Sequence, residues 1–393
     1  MQKTPVSERL HIGIYGRCNS GKSSLVNALT GQEISVVSSQ AGTTTDTVTK
    51  SMELPEAGAV LLMDTPGLDD ATDLGTMRME AAMKTLDRTD IAVLLFNGHD
   101  DIGLEKRLLE EFDRREIAVI TVLSGCDRIV SVSEAAVRIH DLTGRKPICV
   151  SSVTGEGLPE LRKAIAGCTI KEDRLLTAGL CEKGDTVLLV MPQDSQAPKG
   201  RLIQPQVQTI RELLDRGCTP VCCTPETMER ALAALSDAPS LIITDSQVFD
   251  TVWKMKPEAS PLTSFSILFA RYKGDIGEFI RGAELISRLT EDSRILIAEA
   301  CTHVPQHEDI GRVKLPALLR RKIGKKVQID IVGGSDFPDS LEDYDLIIHC
   351  GACMFTRRHV MTRVAMAREA NIPITNYGTA IAALTGILDK VVY

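Results

Sequence analysis

Aromatic side chains are scarce in this 393-residue chain, at 4%, so it lacks the ring platforms on which single-stranded bases stack. A basic excess is missing too. Lys and Arg number 45 against 53 Asp and Glu, a net charge of −8. That balance argues against coating a polyanion, and no nucleic acid is expected as a partner. No apolar run approaches the roughly 18 residues of a membrane span, so no membrane is expected either. The opening MQKTPVSERLHIGIYG has no signal-peptide apolar region, which predicts a cytoplasmic chain. The eleven cysteines are odd in number and thinly spread, which excludes a disulfide framework. In a reducing cytosol they are buried small hydrophobes, reactive thiols or metal ligands. What is present is a globular composition, 43% hydrophobic and 25% charged, over a length that suits two or three domains.

The pattern along the chain is α/β throughout. Apolar runs at 11–15, 59–63, 91–96, 117–123 and 148–150 alternate with helix-length stretches such as 104–115. This is the pattern of a mostly parallel sheet covered on both faces. Residues 168–185 are polar and charged and read as a linker. A small α/β unit follows, with strands predicted at 186–191, 219–223 and 240–244 and helices at 205–216 and 225–235. A third α/β region has strands predicted at 265–270, 294–299, 327–331 and 345–349. Its helices are expected at 275–289, 314–323, 356–370 and 378–387. The expected architecture is three domains: a Rossmann-like sheet at 1–170, then two smaller parallel-sheet domains at 180–262 and 263–393.

Residues 16–23, GRCNSGKS, fit GxxxxGKS between an apolar strand and a helical run, the context that a phosphate-binding loop requires. Gly16 and Gly21 permit a tight loop whose N–H groups face a phosphate, with Asn19, Ser20 and Ser24 in or beside it. Lys22 supplies a point charge for the β/γ-phosphates and Ser23 a hydroxyl ligand for Mg²⁺. Downstream, DTPG at 64–67 follows another apolar strand. Asp64 is placed to hold Mg²⁺ through water, and Gly67 to sense the γ-phosphate. A threonine of GTTTD at 42–46 can close over the nucleotide and reach the metal.

The order and spacing of these elements resemble the translation-factor-like GTPases, specifically their tRNA-modification and ribosome-assembly branch (TrmE/Era-like). By match, Thr44 is the first candidate for the Mg²⁺ threonine and Thr43 the second. Asn19 matches the asparagine that helps hold K⁺ beside the phosphates in that branch. Leu68 stands where Ras-like proteins place a water-orienting glutamine. The resemblance therefore implies slow, potassium-stimulated hydrolysis of GTP with Lys22, Asn19, Thr44 and Gly67 in the catalytic loops. One departure is plain: the guanine pattern NKxD is replaced by SGCD at 124–127. Asp127 remains to accept from the guanine N1 and N2 groups. Ser124 and Gly125 replace the asparagine and lysine, each a loss of about 1–2 kcal/mol, so weaker GTP affinity is expected. Ser151 and Ser152 match the remaining base loop.

Residues 301–303 read CTH and residues 349–353 read HCGAC, with 45 residues between His303 and His349. From the chain's own frequencies a stray CxH is expected roughly 0.2 times, but a stray HCxxC only roughly 0.005 times. Both groups follow predicted strands, so both sit at strand carboxyl ends, the usual ligand crevice of an α/β sheet. Three thiolates with one non-cysteine corner suit a [4Fe–4S] cluster; Cys₃His zinc is the competing reading. The basic run 312–326, with Arg320 and Arg321, reads as a solvated helix face or as a patch that attracts an anionic cluster precursor or an acidic partner surface.

A GTPase of this branch, a short middle domain and a terminal CxH–x45–HCxxC region together resemble the HydF family of [FeFe]-hydrogenase maturation GTPases, across the whole chain. The resemblance implies a homodimeric scaffold and carrier, dimerised through the middle domain. It implies a [4Fe–4S] cluster on Cys301, Cys350 and Cys353, with His303 and His349 as fourth-site or neighbouring groups. It also implies receipt of a diiron precursor made with two radical-SAM maturases, and transfer to the apo-hydrogenase. The other eight cysteines are expected to be ordinary buried or loop thiols. The alternative is an RNA-modification or ribosome-assembly GTPase with a structural zinc module.

Overall fold

The computed structural model describes residues 4–31, 47–55, 57–68, 73–98, 101–168, 174–193, 200, 202–299, 310–334, 336–338, 340–353 and 355–393. It divides into two compact units, Met1–Glu172 and Asp173–Tyr393.

The first unit is one six-stranded sheet with helices on both faces. Its elements are β1 (Leu10–Tyr15), α1 (Lys22–Thr30), β2 (Val48–Leu54), β3 (Gly58–Asp64), α2 (Asp73–Leu86), β4 (Ile91–Phe96), α3 (Gly103–Arg114), β5 (Ala118–Ser124), α4 (Val132–Thr143), β6 (Ile148–Val150) and α5 (Leu158–Cys168). The strand order is β2-β3-β1-β4-β5-β6, and β2 alone runs antiparallel, against β3. β4 is buried at every position and β1 at all but its first, as a central parallel strand covered on both faces must be. Two apolar cores result. One holds Ile12, Ile14, Val93 and Val122 against α1 and α5; the other holds Leu94, Phe96 and Leu123 against α2, α3 and α4.

The second unit carries two four-stranded sheets, parallel throughout. The first has the order β10-β9-β7-β8. It is built from β7 (Thr186–Val190), α6 (Gln204–Asp215), β8 (Thr219–Cys223), α7 (Met228–Ala233), β9 (Leu241–Thr244), α8 (Phe249–Met255) and β10 (Leu262–Ser264). Next come α9 (Phe265–Lys273) and α10 (Ile276–Glu284). The second sheet has the order β12-β11-β13-β14. It comprises β11 (Arg294–Ala298), α11 (Leu315–Ile323, entered through a π-helical turn at Ile310–Lys314), β12 (Gln328–Val332), β13 (Leu346–His349), α12 (Arg357–Glu369), β14 (Ile374–Asn376) and α13 (Tyr377–Thr385). Among the described residues, no helix is long and apolar enough to cross a membrane.

One sequence expectation is corrected. The run FSILFA at 265–270, expected as a strand, is helix α9. Ser264 caps it by accepting from the Ile267 amide at 3.2 Å, a start signal of the kind helices use. α9 buries Phe265, Leu268 and Phe269 against the first sheet's core and Ala270 in the second's. A helix apolar on all sides is buried on all sides, and such a run has no helical period to read. Residues 262 and 263, where the expected second domain gives way to the third, both lie in β10, and both four-stranded sheets lie in one compact unit. The antiparallel edge strand β2 was not foreseen; its half-exposed VTKSMEL offers little apolar signal.

Candidate functional site

The phosphate loop leaves β1 at Gly16 and turns back through Asn19, at φ +58°, into Gly21, at φ +92°. Lys22 opens α1 and is buried; its Nζ donates to the carbonyls of Gly16 at 3.0 Å and Arg17 at 2.7 Å. The ammonium thus closes a ring over the loop's own backbone, beside the N–H groups of a helix N-terminus. Ser23 Oγ donates to Asp64 Oδ2 at 2.6 Å, so the serine of the loop and the aspartate ending β3 are already paired. Asp64 Oδ1 is buried with no hydrogen-bond partner. Burial raises the Asp64 carboxyl above its ordinary value, with the Ser23 hydrogen bond and the Lys22 charge pulling the other way. A buried carboxylate oxygen left over beside a serine hydroxyl fits a small, hard divalent cation.

Gly67 packs directly on this loop. A Cβ there would lie 2.3 Å from Cys18 Sγ, 2.7 Å from its Cα and 2.8 Å from its N. Only glycine admits so close an approach. Leu68 is buried in the core beside Tyr15, so no polar side chain follows Gly67 toward a water. Thr43 and Thr44 lie outside the described residues.

The base end is built from the loops after β5 and β6. Ser124 Oγ donates to Ser20 O at 2.5 Å, tying the end of β5 to the phosphate loop. Asp127 is exposed, and its Oδ1 accepts from Ser151 Oγ at 2.6 Å. That hydrogen bond is the main cause holding the Asp127 carboxyl below its ordinary value. Ser151 is itself buried and accepts from the Val153 and Thr154 amides. Ser24 is exposed at the start of α1, and Ser152 is half-buried beside Ser151.

Sequence reasoning missed two supports of this site. Arg17 pairs with Glu105 of α3 through two hydrogen bonds, Nε to Oε1 at 2.8 Å and Nη2 to Oε2 at 3.2 Å. Glu105 is almost fully buried, so the variable second position of the motif anchors the loop to the sheet's flank. The Thr65 hydroxyl donates to Ile14 O at 2.7 Å, fixing the start of the Asp64 loop on β1. Neither has a spacing signature; an arginine in a glycine loop was the only available hint.

In the second unit, β13 ends at His349, opposite Ala298 of β11. The Cys350 amide donates to Ala298 O at 2.9 Å, so the CGAC loop begins at the carboxyl edge of the two central strands. Cys301 and His303 lie outside the described residues. Cys350 and Cys353 are half-buried, and Cys350 Sγ accepts from the Ala352 amide at 3.4 Å. Ala352 takes φ +50° to aim that amide, a conformation that is uncommon for alanine. Among the described residues, no three potential metal ligands gather. Two thiols nonetheless stand on one strand-end loop, one of them receiving an N–H, and cysteine thiolate is the ligand type an iron–sulfur cluster takes.

His349 is buried, with Nε2 3.0 Å from Arg363 Nη1 and Nδ1 2.8 Å from Cys350 O. Arginine can only donate, so Nε2 is the acceptor and Nδ1 carries the proton. Burial first, and the Arg363 charge second, push its pKa down to about 3. Both ring nitrogens of His349 are thus occupied in this structure. Arg363 also donates to Gly334 O at 2.6 Å and lies between the rings of Phe337 and Phe355. From α9, the buried Lys273 donates to the carbonyls of Phe355 at 2.7 Å and Ala352 at 3.3 Å. Neither cation was foreseen, since no spacing links them to the cysteines. The remaining described cysteines are dispersed through the fold, Cys181 and Cys218 buried with sulfurs 3.9 Å apart and Cys222 exposed. The basic run places Arg320, Arg321, Lys322, Lys325 and Lys326 at the surface.

A glycine loop on Lys22, a serine–aspartate pair and a base-end carboxylate define the first unit as a P-loop GTPase domain, and residues 11–124 match the family model of the 50S ribosome-binding GTPase. A GTP- and Mg²⁺-binding domain therefore heads the chain. Residues 176–274 match the hydrogen maturase F dimerization domain and residues 277–393 its tetramerization domain, together more than half of the chain. The chain belongs to the hydrogen maturase F family.

Similarity to individual proteins is confined to shorter stretches. The tRNA modification GTPase MnmE of Nitrosomonas europaea is 32% identical over 164 residues, 41% of this chain and 35% of that one. GTPase Der of Helicobacter hepaticus is 31% identical over 176 residues, 42% of this chain and 36% of its own. The chain thus spans about a third of the length of these curated relatives. Among solved structures, Era in complex with MgGDPNP and 16S ribosomal RNA aligns over 55% of this chain and 91% of its own, at 20% identity and a TM-score of 0.37. The G domain of the T. maritima FeoB iron transporter aligns over 41% and 99%, at 24% identity and a TM-score of 0.33.

Proposed function

We propose that this chain is a cytoplasmic scaffold and carrier for [FeFe]-hydrogenase maturation, switched by GTP. The observation that supports this most is the pairing of both hydrogen maturase F oligomerisation domains with the CGAC loop at the edge of β11 and β13. On this reading the chain is a homodimer that receives a diiron precursor made with two radical-SAM maturases and passes it to the apo-hydrogenase. The diiron unit is cargo.

On this reading the residues of the first unit take the following roles. Lys22 leaves its two carbonyl partners for the β/γ-phosphates, a charged acceptor in place of neutral ones. Ser23 and Asp64 hold Mg²⁺, Asp64 through water, and Thr44 (or Thr43) completes the metal's shell when nucleotide binds. Asn19 accepts K⁺, whose charge would offset that developing on the phosphates. Gly67 reads the γ-phosphate through its contact with Cys18. Asp127, held by Ser151, accepts from the guanine edge, with Ser152 beside it. Because Leu68 is buried and apolar, hydrolysis is slow and relies on the cations.

In the second unit, Cys350 and Cys353 with Cys301 would hold a [4Fe–4S] cluster. When bound, the cluster would supply one iron corner not held by cysteine, where an exchangeable ligand could give way to the precursor. The chain's own contribution is to hold the CGAC loop: Lys273 grips its carbonyls and His349 fixes the Cys350 carbonyl. His303 remains the candidate for the fourth corner.

Anaerobic reconstitution with iron and sulfide tests the reading. The full chain is expected to turn brown with broad absorption near about 400 nm, and Cys301→Ser, Cys350→Ser and Cys353→Ser should each lose iron. Stoichiometric zinc with no iron uptake would overturn it. Equal binding of the GTP and GDP forms to the maturases and the hydrogenase would overturn the switch.

A further inference from the structure

The loop after β5 carries a cation with no role in the account above. Arg128 is exposed and ends the 3-10 turn Cys126–Arg128; its amide donates to Gly125 O at 2.9 Å. An exposed arginine ordinarily extends its head into water. This one folds back over its own loop. A Cβ built on Gly125 would lie 2.7 Å from Arg128 Nη2, 3.3 Å from Nε and 3.4 Å from Cζ. The guanidinium therefore fills the space that any side chain at position 125 would need. Gly125 sits at φ +68°. Among the described residues the guanidinium makes no hydrogen bond and no ion pair; its charge acts on the neighbouring Asp127 carboxyl.

Its place accounts for the folded posture. Ser124 Oγ touches the phosphate loop at Ser20 O, and Asp127 is held by Ser151 at the base end. Gly125 lies between the two. The group stacked on Gly125 is therefore located between the phosphates and the carboxylate that reads the base edge. That is the interval a nucleoside's flat ring must cross.

We propose that Arg128 covers the face of the bound purine, and that residue 125 is glycine to leave room for it. A guanidinium is planar, always charged and weakly hydrated, which suits stacking on an aromatic face. The chain thus carries its base-site cation at 128, in place of the lysine that the resembled pattern puts at 125. Ser124 meanwhile keeps a strut to the phosphate loop. The inference rests on the reading of Asp127 as the guanine acceptor, and it assigns a second, edge-independent contact to the same site.

Calorimetric titration of the full chain with GDP and with inosine diphosphate, which lacks the 2-amino group, tests it. Arg128→Ala is expected to weaken GDP binding about 3- to 30-fold. Inosine diphosphate should weaken by the same factor, because a face contact does not read the edge. The ratio of the two affinities should therefore survive in Arg128→Ala and shrink in Asp127→Asn. Gly125→Ala, which displaces the guanidinium and also strains the backbone at φ +68°, should lose at least as much affinity as Arg128→Ala. Arg128→Ala binding GDP within twofold of wild type overturns the proposal. So does a loss confined to GDP, which would make Arg128 an edge contact. A wild-type chain that binds no GDP overturns the guanine-site reading itself.

Discussion

Replacing Gly67 by alanine should cripple the nucleotide site without removing any ligating side chain. The backbone there is outside the left-handed region, so the obstacle is space alone. One added carbon meets Cys18 at three atoms: Sγ at 2.3 Å, Cα at 2.7 Å and N at 2.8 Å. The sulfur can rotate away, but the other two are backbone, so the phosphate loop itself must shift. Lys22 moves with it, because its Nζ is held on the carbonyls of Gly16 and Arg17. Overpacking of this kind costs about 1–3 kcal/mol, which at about 1.4 kcal/mol per decade is roughly 5- to 150-fold in affinity or turnover. The assay is steady-state GTP turnover together with calorimetric GDP binding on the full chain. Cys18→Ala combined with Gly67→Ala removes one of the three contacts and should recover only a fraction of the loss. Gly67→Ala with turnover and affinity within twofold of wild type would refute the reasoning, as would full rescue by the double variant.

Three further outcomes are expected. Asp64→Asn should raise Tm in Mg²⁺-free buffer, because burial disfavours the Asp64 carboxylate, while abolishing Mg²⁺-dependent turnover; a lower Tm contradicts the burial argument. Ser151→Ala should return the Asp127 carboxyl toward its ordinary value. A carboxyl held low in the folded state contributes stability above the unfolded pKa and loses it as pH falls through the lowered folded pKa. The stability gap between wild type and Ser151→Ala should therefore narrow on acidification in pH-resolved urea unfolding, and a gap unchanged with pH speaks against it. Gly282→Ala would set a Cβ 2.2 Å from the Ile374 carbonyl oxygen, so it should cost about 1–3 kcal/mol in chemical denaturation and leave GDP affinity unaltered.

What was legible in the sequence was whatever carries a local period or a fixed spacing. The strands at 91–96, 148–150 and 219–223 stand where the sequence predicts them; 91–96 is the plainest case, because a buried parallel strand is a short apolar block bounded by polar residues. The phosphate loop was legible because GxxxxGKS is contiguous and its geometry is self-contained. Helix α9 was not, because its burial between two cores comes from tertiary packing that a single window does not contain. The supports of the sites were hidden for the same reason. Arg17 meets Glu105 across 88 positions and Lys273 meets Phe355 across 82. His349 was visible as a motif residue, but its engagement by Arg363 depends on how α12 packs. The departure at 124–127 was visible as SGCD where the resembled pattern has NKxD, while the folded posture of Arg128 needed three dimensions.

Lys273 has a consequence for anyone who cuts this chain. It lies within the dimerization match, 176–274, yet its ammonium is buried on carbonyls at 352 and 355, inside the tetramerization match. The boundary between the two modules is thus bolted from the wrong side. A chimera joined at 275 would inherit the cysteine loop without the side chain that clamps it, and its thiols would be held by a slackened hairpin of backbone. Exchange of the terminal module should therefore begin before Phe265, carrying all of α9 with it.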